Sequence, residues 1–309
     1  MRSARRPRRP GWGGGAARRA EALAGYMFLL PSGLLLAIFL VWPTLQVLGL
    51  SVTDYQLLAP SATHVVGLDN YRQLLHDADF RGAVRVTLMF ALGAVPLQAF
   101  LALALALVLN LRLPGGGILR AAFFYPTILS VVVAGVVWSY LYHPTQGLFN
   151  QLLTGLGLPR QPFLSGRDQA LPAIGALAAW QNVGFYMVIF LAGLRQIPPQ
   201  CYEAAALDGA NGWQQLRFIT LPLLRPISAF VIVVGTIYAL RLFTEVYVLT
   251  RGGPFGATRT LIYFLWEEGL RFRHTAYAAA AAVLFFLLVL AITVVQRRLV
   301  EAGAGGGDA

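Results

Sequence analysis

Six apolar runs, each about 22 to 25 residues long, lie at 26–50, 86–109, 121–142, 171–194, 227–249 and 275–296. A helix rises ~1.5 Å per residue and a hydrocarbon layer is ~30 Å thick, so each run is one membrane crossing long. Inside that layer the backbone has no water to bond, which leaves helices or closed barrels as the ways across. Apolar runs of this length are helices. The chain is therefore expected to be an all-α membrane protein with six transmembrane helices. Composition agrees: 12% of residues are charged, against about 25% in a soluble domain.

The first run follows an arginine-, glycine- and proline-rich stretch, 1–22, carrying Arg2, Arg5, Arg6, Arg8, Arg9, Arg18 and Arg19. Such a stretch is too polar to pack and reads as a disordered tail. A basic segment before an apolar one resembles a signal peptide, whose apolar core is only about 7–15 residues. This one is longer, so it reads as a permanent first span. The six spans then occupy a single unit, 23–300, and 301–309 reads as a flexible C-terminal tail.

The formal net charge of +11 is carried by arginine alone, because the chain has no lysine. Basic charge can signal nucleic acid, but here it clusters beside the spans, where it orients them. The tail, Arg112 and Arg120, Arg195, Arg217 and Arg225, and Arg297 and Arg298 fall on one side of a six-span path. The opposite loops mix arginine with Asp54, Asp69, Asp77, Asp79, Asp168, Glu267 and Glu268. The positive-inside rule makes the arginine-rich side cytoplasmic, with both termini there. The missing lysine also excludes a P-loop, whose lysine reaches the phosphates. The lone Cys201 forms no internal disulfide, and the four histidines (His64, His76, His143 and His274) are scattered through outer loops. No metal or cofactor is implied.

Between the fourth and fifth spans lies a polar, helix-capable insert, 202–226, within the loop 196–226. Pro199 suits the first turn of a helix, where no N–H bond is lost. Gly209 ends that helix by allowing positive φ, and Asn211 caps a second. Leu216, Ile219 and Leu223 fall on one stripe, and Pro222 and Pro226 end the piece and turn the chain back into the bilayer. Ala204, Ala205 and Ala206 let another backbone come close, beside the single charge of Glu203. An amphipathic connector resting on lipid headgroups would carry cations and bulky apolar groups, and the first helix has neither cation.

Glu203, Ala204, Ala205, Gly209, Ile219, Leu221 and Pro222 stand at E-A-A-x(3)-G-x(9)-I-x-L-P spacing. This resembles the EAA loop of the membrane subunits of binding-protein-dependent ABC importers. Asp208-Gly209-Ala210, Val66 through Tyr71, and Leu249 through Pro254 look like the carbohydrate branch, in its maltose "F"-like or glycerol-phosphate "A"-like subunits. The resemblance covers roughly 26–298. It implies a type I importer permease fold, with a coupling helix docking in a groove of an ATPase subunit. Glu203, Ala204, Ala205, Asp208, Gly209, Ile219, Leu221 and Pro222 would make that contact. It further implies a second permease subunit, two ATP-binding subunits, an extracytoplasmic solute-binding protein, a sugar as cargo, and residence in the cell (inner) membrane. A transporter subunit of this kind is not itself an enzyme.

Polar residues within a span are costly and mark a path for solute. Gln181 and Asn182 interrupt the fourth span, with Phe185 and Tyr186 one turn on, and Tyr238 sits among aliphatics in the fifth. Amide groups and aromatic faces suit a neutral sugar, although such groups also bond helices together. Arg241 and Glu245 are expected to form an internal i, i+4 ion pair. Trp42, Trp138, Tyr140, Tyr142 and Trp266 are expected to anchor the membrane interfaces. Three other readings follow from other features. A glycerol-3-phosphate permease would share the same loop. An ion-coupled secondary transporter would carry a titratable group in mid-span and an inverted repeat. A polytopic membrane enzyme would cluster its histidines and carboxylates at one face.

Overall fold

The computed structural model describes residues 15–57, 63–111 and 114–304. In chain order the helices are α1 (Gly15–Leu36), α2 (Trp42–Leu50), α3 (Asp69–His76), α4 (Ala78–Asn110), α5 (Gly116–Phe124), α6 (Val131–Leu141) and α7 (Leu148–Gly155). They continue as α8 (Ala170–Leu194), α9 (Pro199–Leu207), α10 (Gly212–Gln215), α11 (Leu221–Leu223), α12 (Arg225–Leu240), α13 (Thr244–Leu249), α14 (Leu261–Trp266) and α15 (Thr275–Ala304). Four helical stretches are long and apolar enough to cross a membrane, Glu21–Leu50, Ala78–Asn110, Ala170–Leu194 and Thr275–Leu299, and two bent pairs bring the crossings to six.

The third and fifth spans depart from the expected single helices. Pro126 inside the third span predicts a kinked helix, and the structure breaks it outright: Gly116–Ile128 and Val131–Leu141 meet at 99°. Pro126 sits in a tight turn of helix just before the break. The fifth span stops being helical at Leu240 and resumes at Thr244. The second span starts at Ala78, eight residues before the apolar run, because Asp77 caps its N-terminus by accepting from the Asp79 N–H at 2.8 Å. At the chain ends, α1 begins at Gly15, inside the stretch 1–22 expected to be disordered, and α15 runs to Ala304, inside the expected tail 301–309. Residues 1–14, 305–309 and Arg112 lie outside the described residues.

The core forms where α4, α8 and α12 pack. Ala102 and Ala106 of α4 meet Met187, Phe190 and Leu191 of α8 and Val231 of α12 in one buried cluster. Small residues on α4 let the backbones close up, since lipid supplies no hydrophobic drive between helices. Gly184 of α8 is required for the same reason: a Cβ there would run into the Phe123 carbonyl oxygen. This contact seats the broken third span on α8. The first span stands apart, with α2 packing on α15 and no residue of Glu21–Leu50 fully buried.

On the side expected to face outward, α3, α4, α14 and α15 share a second apolar cluster around Leu74, Phe80, Leu261 and Phe264. Arg259 bridges it electrostatically, to Asp79 at 2.8 Å and Glu267 at 2.7 Å, and Arg271 holds Glu267 at 2.7 Å. Burial works against the Arg259 charge, but Asp79 and Glu267 more than offset it and hold the guanidinium above its ordinary value. The expected interfacial aromatics differ in role. Tyr142 is buried, donates to the Ala173 carbonyl at 2.9 Å, and packs with Trp138, Phe149 and Phe163, so it fastens a loop to α8.

Candidate functional site

The insert between α8 and α12 is built by local rules. Pro198 is extended and Pro199 takes the first helical turn of α9. At the other end, Gly209 has φ +77. Its N–H donates to the Ala206 carbonyl at 3.1 Å and the Ala210 N–H donates to Ala205 at 2.9 Å. This is the paired closure of a glycine-terminated helix. Asn211 then starts α10 with a reciprocal cap: its side chain accepts from the Gln214 N–H at 2.9 Å and Gln214 Oε1 accepts from the Asn211 N–H at 2.8 Å. The helix continues through a wide turn, Leu216–Thr220, into α11, then bends by 64° at Leu224 into α12.

The two pieces are pinned to each other. The Tyr202 and Thr220 hydroxyls are 2.9 Å apart, and Gln215 Nε2 donates to the Ala210 carbonyl at 3.2 Å. That leaves Glu203, Ala204, Asp208 and Gly209 on open surface, with Ala205, Ile219 and Pro222 half-buried and Leu221 exposed. Leu207, next to them, is 90% exposed. A leucine that open beside exposed alanines and two carboxylates is the composition of a protein-docking patch.

A second site lies within the spans. A cavity of about 240 Å³ opens where α4, α8 and α12 meet the break in the third span. Gln181, Asn182 and Tyr238 line it, joined by Gln98 of α4 and Glu245 of α13. The break explains why Gln181 is there. Ending a helix inside a membrane frees carbonyls that need donors, and Gln181 Nε2 donates to Leu129 at 2.9 Å. Thr127 Oγ1 returns the bond by donating to the Gln181 carbonyl at 2.9 Å. Gln181 Oε1 is buried and has no partner. Asn182 Nδ2 donates to the Ala178 carbonyl at 2.8 Å. A roomier groove of about 510 Å³ borders α4 and α8, but its lining is mainly apolar. The polar cavity is the better seat for a hydrophilic solute.

The other two residues singled out in the fourth span lie elsewhere. Tyr186 is 2% exposed and packs in the core cluster of α4, α8 and α12. Phe185 rests on its ring at 5.7 Å and does not line the cavity. The expected Arg241–Glu245 ion pair is absent: no ion pair within 4.0 Å joins them, since α12 ends at Leu240 and the two side chains do not share a helix. Arg241 lines an adjoining cavity of about 430 Å³, which Glu245 also borders. Gln98 is the lining residue that sequence reasoning passed over. A lone amide in the run 86–109 is the same signal that identified Gln181.

The family described as "Binding-protein-dependent transport system inner membrane component" matches residues 79–302. The trehalose/maltose transport system permease protein MalF of Thermococcus litoralis is 36% identical over 78% of this chain and 81% of its own length. The sn-glycerol-3-phosphate transport system permease protein UgpA of Agrobacterium fabrum is 33% identical, covering 79% and 83%. In structure the chain is similar to a bacterial ABC transporter involved in the import of the acidic polysaccharide alginate. The TM-score is 0.80 at 24% identity, over 93% of this chain and 97% of that one. At that identity the likeness speaks for the fold alone. The family match and the two relatives decide the rest, and the chain belongs to the binding-protein-dependent inner membrane components, the membrane-spanning permease subunits of ABC importers.

Proposed function

We propose that this chain forms one half of the translocation path of a sugar importer in the cell (inner) membrane. The other half is a second permease subunit, and two ATP-binding subunits supply the work. A solute-binding protein delivers cargo from outside. The termini and α9–α11 face the cytoplasm, as the arginine distribution requires. The observation that carries this reading is the open face of α9, where Glu203, Ala204, Asp208 and Gly209 stand beside an uncovered Leu207.

On this reading α9 is the lever. The bonds that pin it to the following helix, Tyr202–Thr220 and Gln215–Ala210, transmit its displacement through the bend at Leu224 into α12 and hence to Tyr238 on the cavity wall. Gln181, Asn182 and Tyr238 contact the passing solute, while Tyr186 supports α8 from the core. A trehalose/maltose permease among the relatives supports a sugar as cargo.

Cross-linking tests the docking. Cys201 is the chain's own cysteine, so a Cys201→Ser background carrying Ala206→Cys isolates one position on α9. Bifunctional cross-linking in membranes should then join the permease to its ATPase subunit. Cysteine in place of Leu156, on an outer loop, should give no such product. A product from Leu156→Cys and none from Ala206→Cys would reverse the orientation and end the reading.

A further inference from the structure

The insert has a second face. On α10, α11 and the wide turn between them, Trp213, Arg217, Phe218 and Leu221 are exposed, while Thr220 and Leu224 are buried. Positions four, five and eight residues on from Trp213 fall on its own side of a helix. Trp213 and Phe218 are 66% and 69% exposed, and the Arg217 guanidinium lies 5.7 Å from the Phe218 ring centre. Arg195 and Arg225 are exposed at the adjoining ends of α8 and α12. None of the three arginines makes an ion pair among the described residues. No carboxylate occurs between Asp208 and Glu245. The α9 side is the reverse: it carries Glu203 and Asp208, and no cation stands between Arg195 and Arg217.

The depth of this face follows from the bend. Leu224 belongs to the core cluster of α4, α8 and α12, and the helix ahead of it leaves α12 at 64°. At ~1.5 Å per residue, Phe218 lies about 10 Å and Trp213 about 18 Å back from Arg225 along that helix. At 64°, only about 5 Å and about 8 Å of those distances run along α12. The headgroup layer is itself about 5 to 8 Å deep on each side of the hydrocarbon. The exposed stripe therefore runs nearly flat at headgroup depth, with aromatic rings and arginine together on one side, the composition of an interfacial helix.

We infer that this face rests on the cytoplasmic leaflet and binds anionic phospholipid. Trp213, Phe218 and Leu221 enter the acyl boundary, and Arg217 and Arg225 meet the phosphates. The inference rests on the reading of the insert as cytoplasmic. It divides the insert between two partners by charge: the acidic, small-residue side for the ATPase subunit and the arginine-aromatic side for the membrane. A lever that bears on the membrane along one side delivers its push into α12 instead of swinging away from it.

The test measures a spin label in the assembled importer, reconstituted into vesicles of phosphatidylcholine alone or of phosphatidylcholine and phosphatidylglycerol in equal parts. The background is Cys201→Ser, with partner subunits free of reactive cysteine. A label at Phe218→Cys should collide with dissolved oxygen more than with an uncharged, water-soluble nickel chelate, which is the signature of lipid contact. Its oxygen-to-nickel ratio should be about threefold or more higher in the phosphatidylglycerol vesicles. Adding Arg217→Gln and Arg225→Gln should abolish that difference, and adding Arg160→Gln, exposed on an outer loop, should preserve it. A label shielded from both reagents, as a protein partner would leave it, or open to the nickel chelate would overturn the inference. So would a ratio equal in the two vesicles, or a difference that outlasts the two arginine substitutions. If that variant does not assemble, the label in the unmodified arginine background decides. Cross-linking from Ala206→Cys to the ATPase subunit judges the docking reading separately. A cross-link without lipid contact at Phe218→Cys ends the inference alone, and lipid contact without a cross-link ends the docking reading alone.

Discussion

The insert proposed to couple and the cavity proposed to take solute are opposite kinds of site. The insert is held by bonds between near neighbours, Asn211 with Gln214 and Tyr202 with Thr220, 18 residues apart. The cavity is held by Gln181 reaching Leu129 and by Thr127 reaching Gln181, bonds that span 52 and 54 residues. The insert presents outward a surface that no other segment among the described residues covers. The cavity turns inward, and its polar groups exist because two spans break. A lever has to be stiff within itself and open to a partner, and local caps provide that. A path through a membrane needs polar groups where lipid would forbid them, and only a tertiary contact between a broken helix and an intact one provides those.

Breaking the long-range contact should cost most. In Gly184→Val the added carbon meets the Phe123 carbonyl, which is backbone and cannot swing away. The expected loss is about 3 kcal/mol or more, seen as a large drop in the melting temperature of the purified complex or as failure to assemble. A melting temperature equal to wild type would mean the third span does not seat on α8. Gln181→Leu comes next. It leaves the Leu129 carbonyl without its donor, at about 1–3 kcal/mol, and sugar uptake should fall along with stability.

Changes in the insert should act on coupling more than on stability. Gly209→Ala meets no atom within 4 Å but must hold φ +77, at about 1–2 kcal/mol. Uptake per ATP hydrolysed should drop while sugar binding stays. Gly212→Ala, also in open space and without positive φ, is the matched control and should behave as wild type. Thr220→Val removes the partner of Tyr202 at about 0.5–1.5 kcal/mol, the smallest effect of the set. If Thr220→Val weakened sugar binding more than Gln181→Leu, the division of labour between the two sites would be wrong.

The same contrast explains what the sequence made legible. Pro199, Gly209 and Asn211 state their structural roles directly, because each governs the φ/ψ or capping of its own position, and the boundaries of α9 follow. The six crossings were legible from length and hydropathy. The 99° break after Pro126 was not, because a proline marks an interruption without its angle, and the angle is set by α8 packing against Phe123 and Phe124. Arg241 and Glu245 misled for a related reason. Their i, i+4 spacing implies a pair only on an unbroken helix, and α12 ends at Leu240. Gln181, Asn182 and Tyr238 stood out as polar groups in apolar runs and do line the cavity. Phe185 and Tyr186 carry the same residue chemistry one turn on, yet one is peripheral and the other is core.

The central claim is that α9 transmits ATP-driven work, and charge reversal at Glu203 tests it most directly. Glu203 is exposed and makes no ion pair among the described residues, so Glu203→Lys leaves the fold alone. ATP-driven sugar uptake by proteoliposomes holding the assembled importer should fall about tenfold or more, with melting temperature and sugar binding unchanged. Uptake at the wild-type rate would contradict the account.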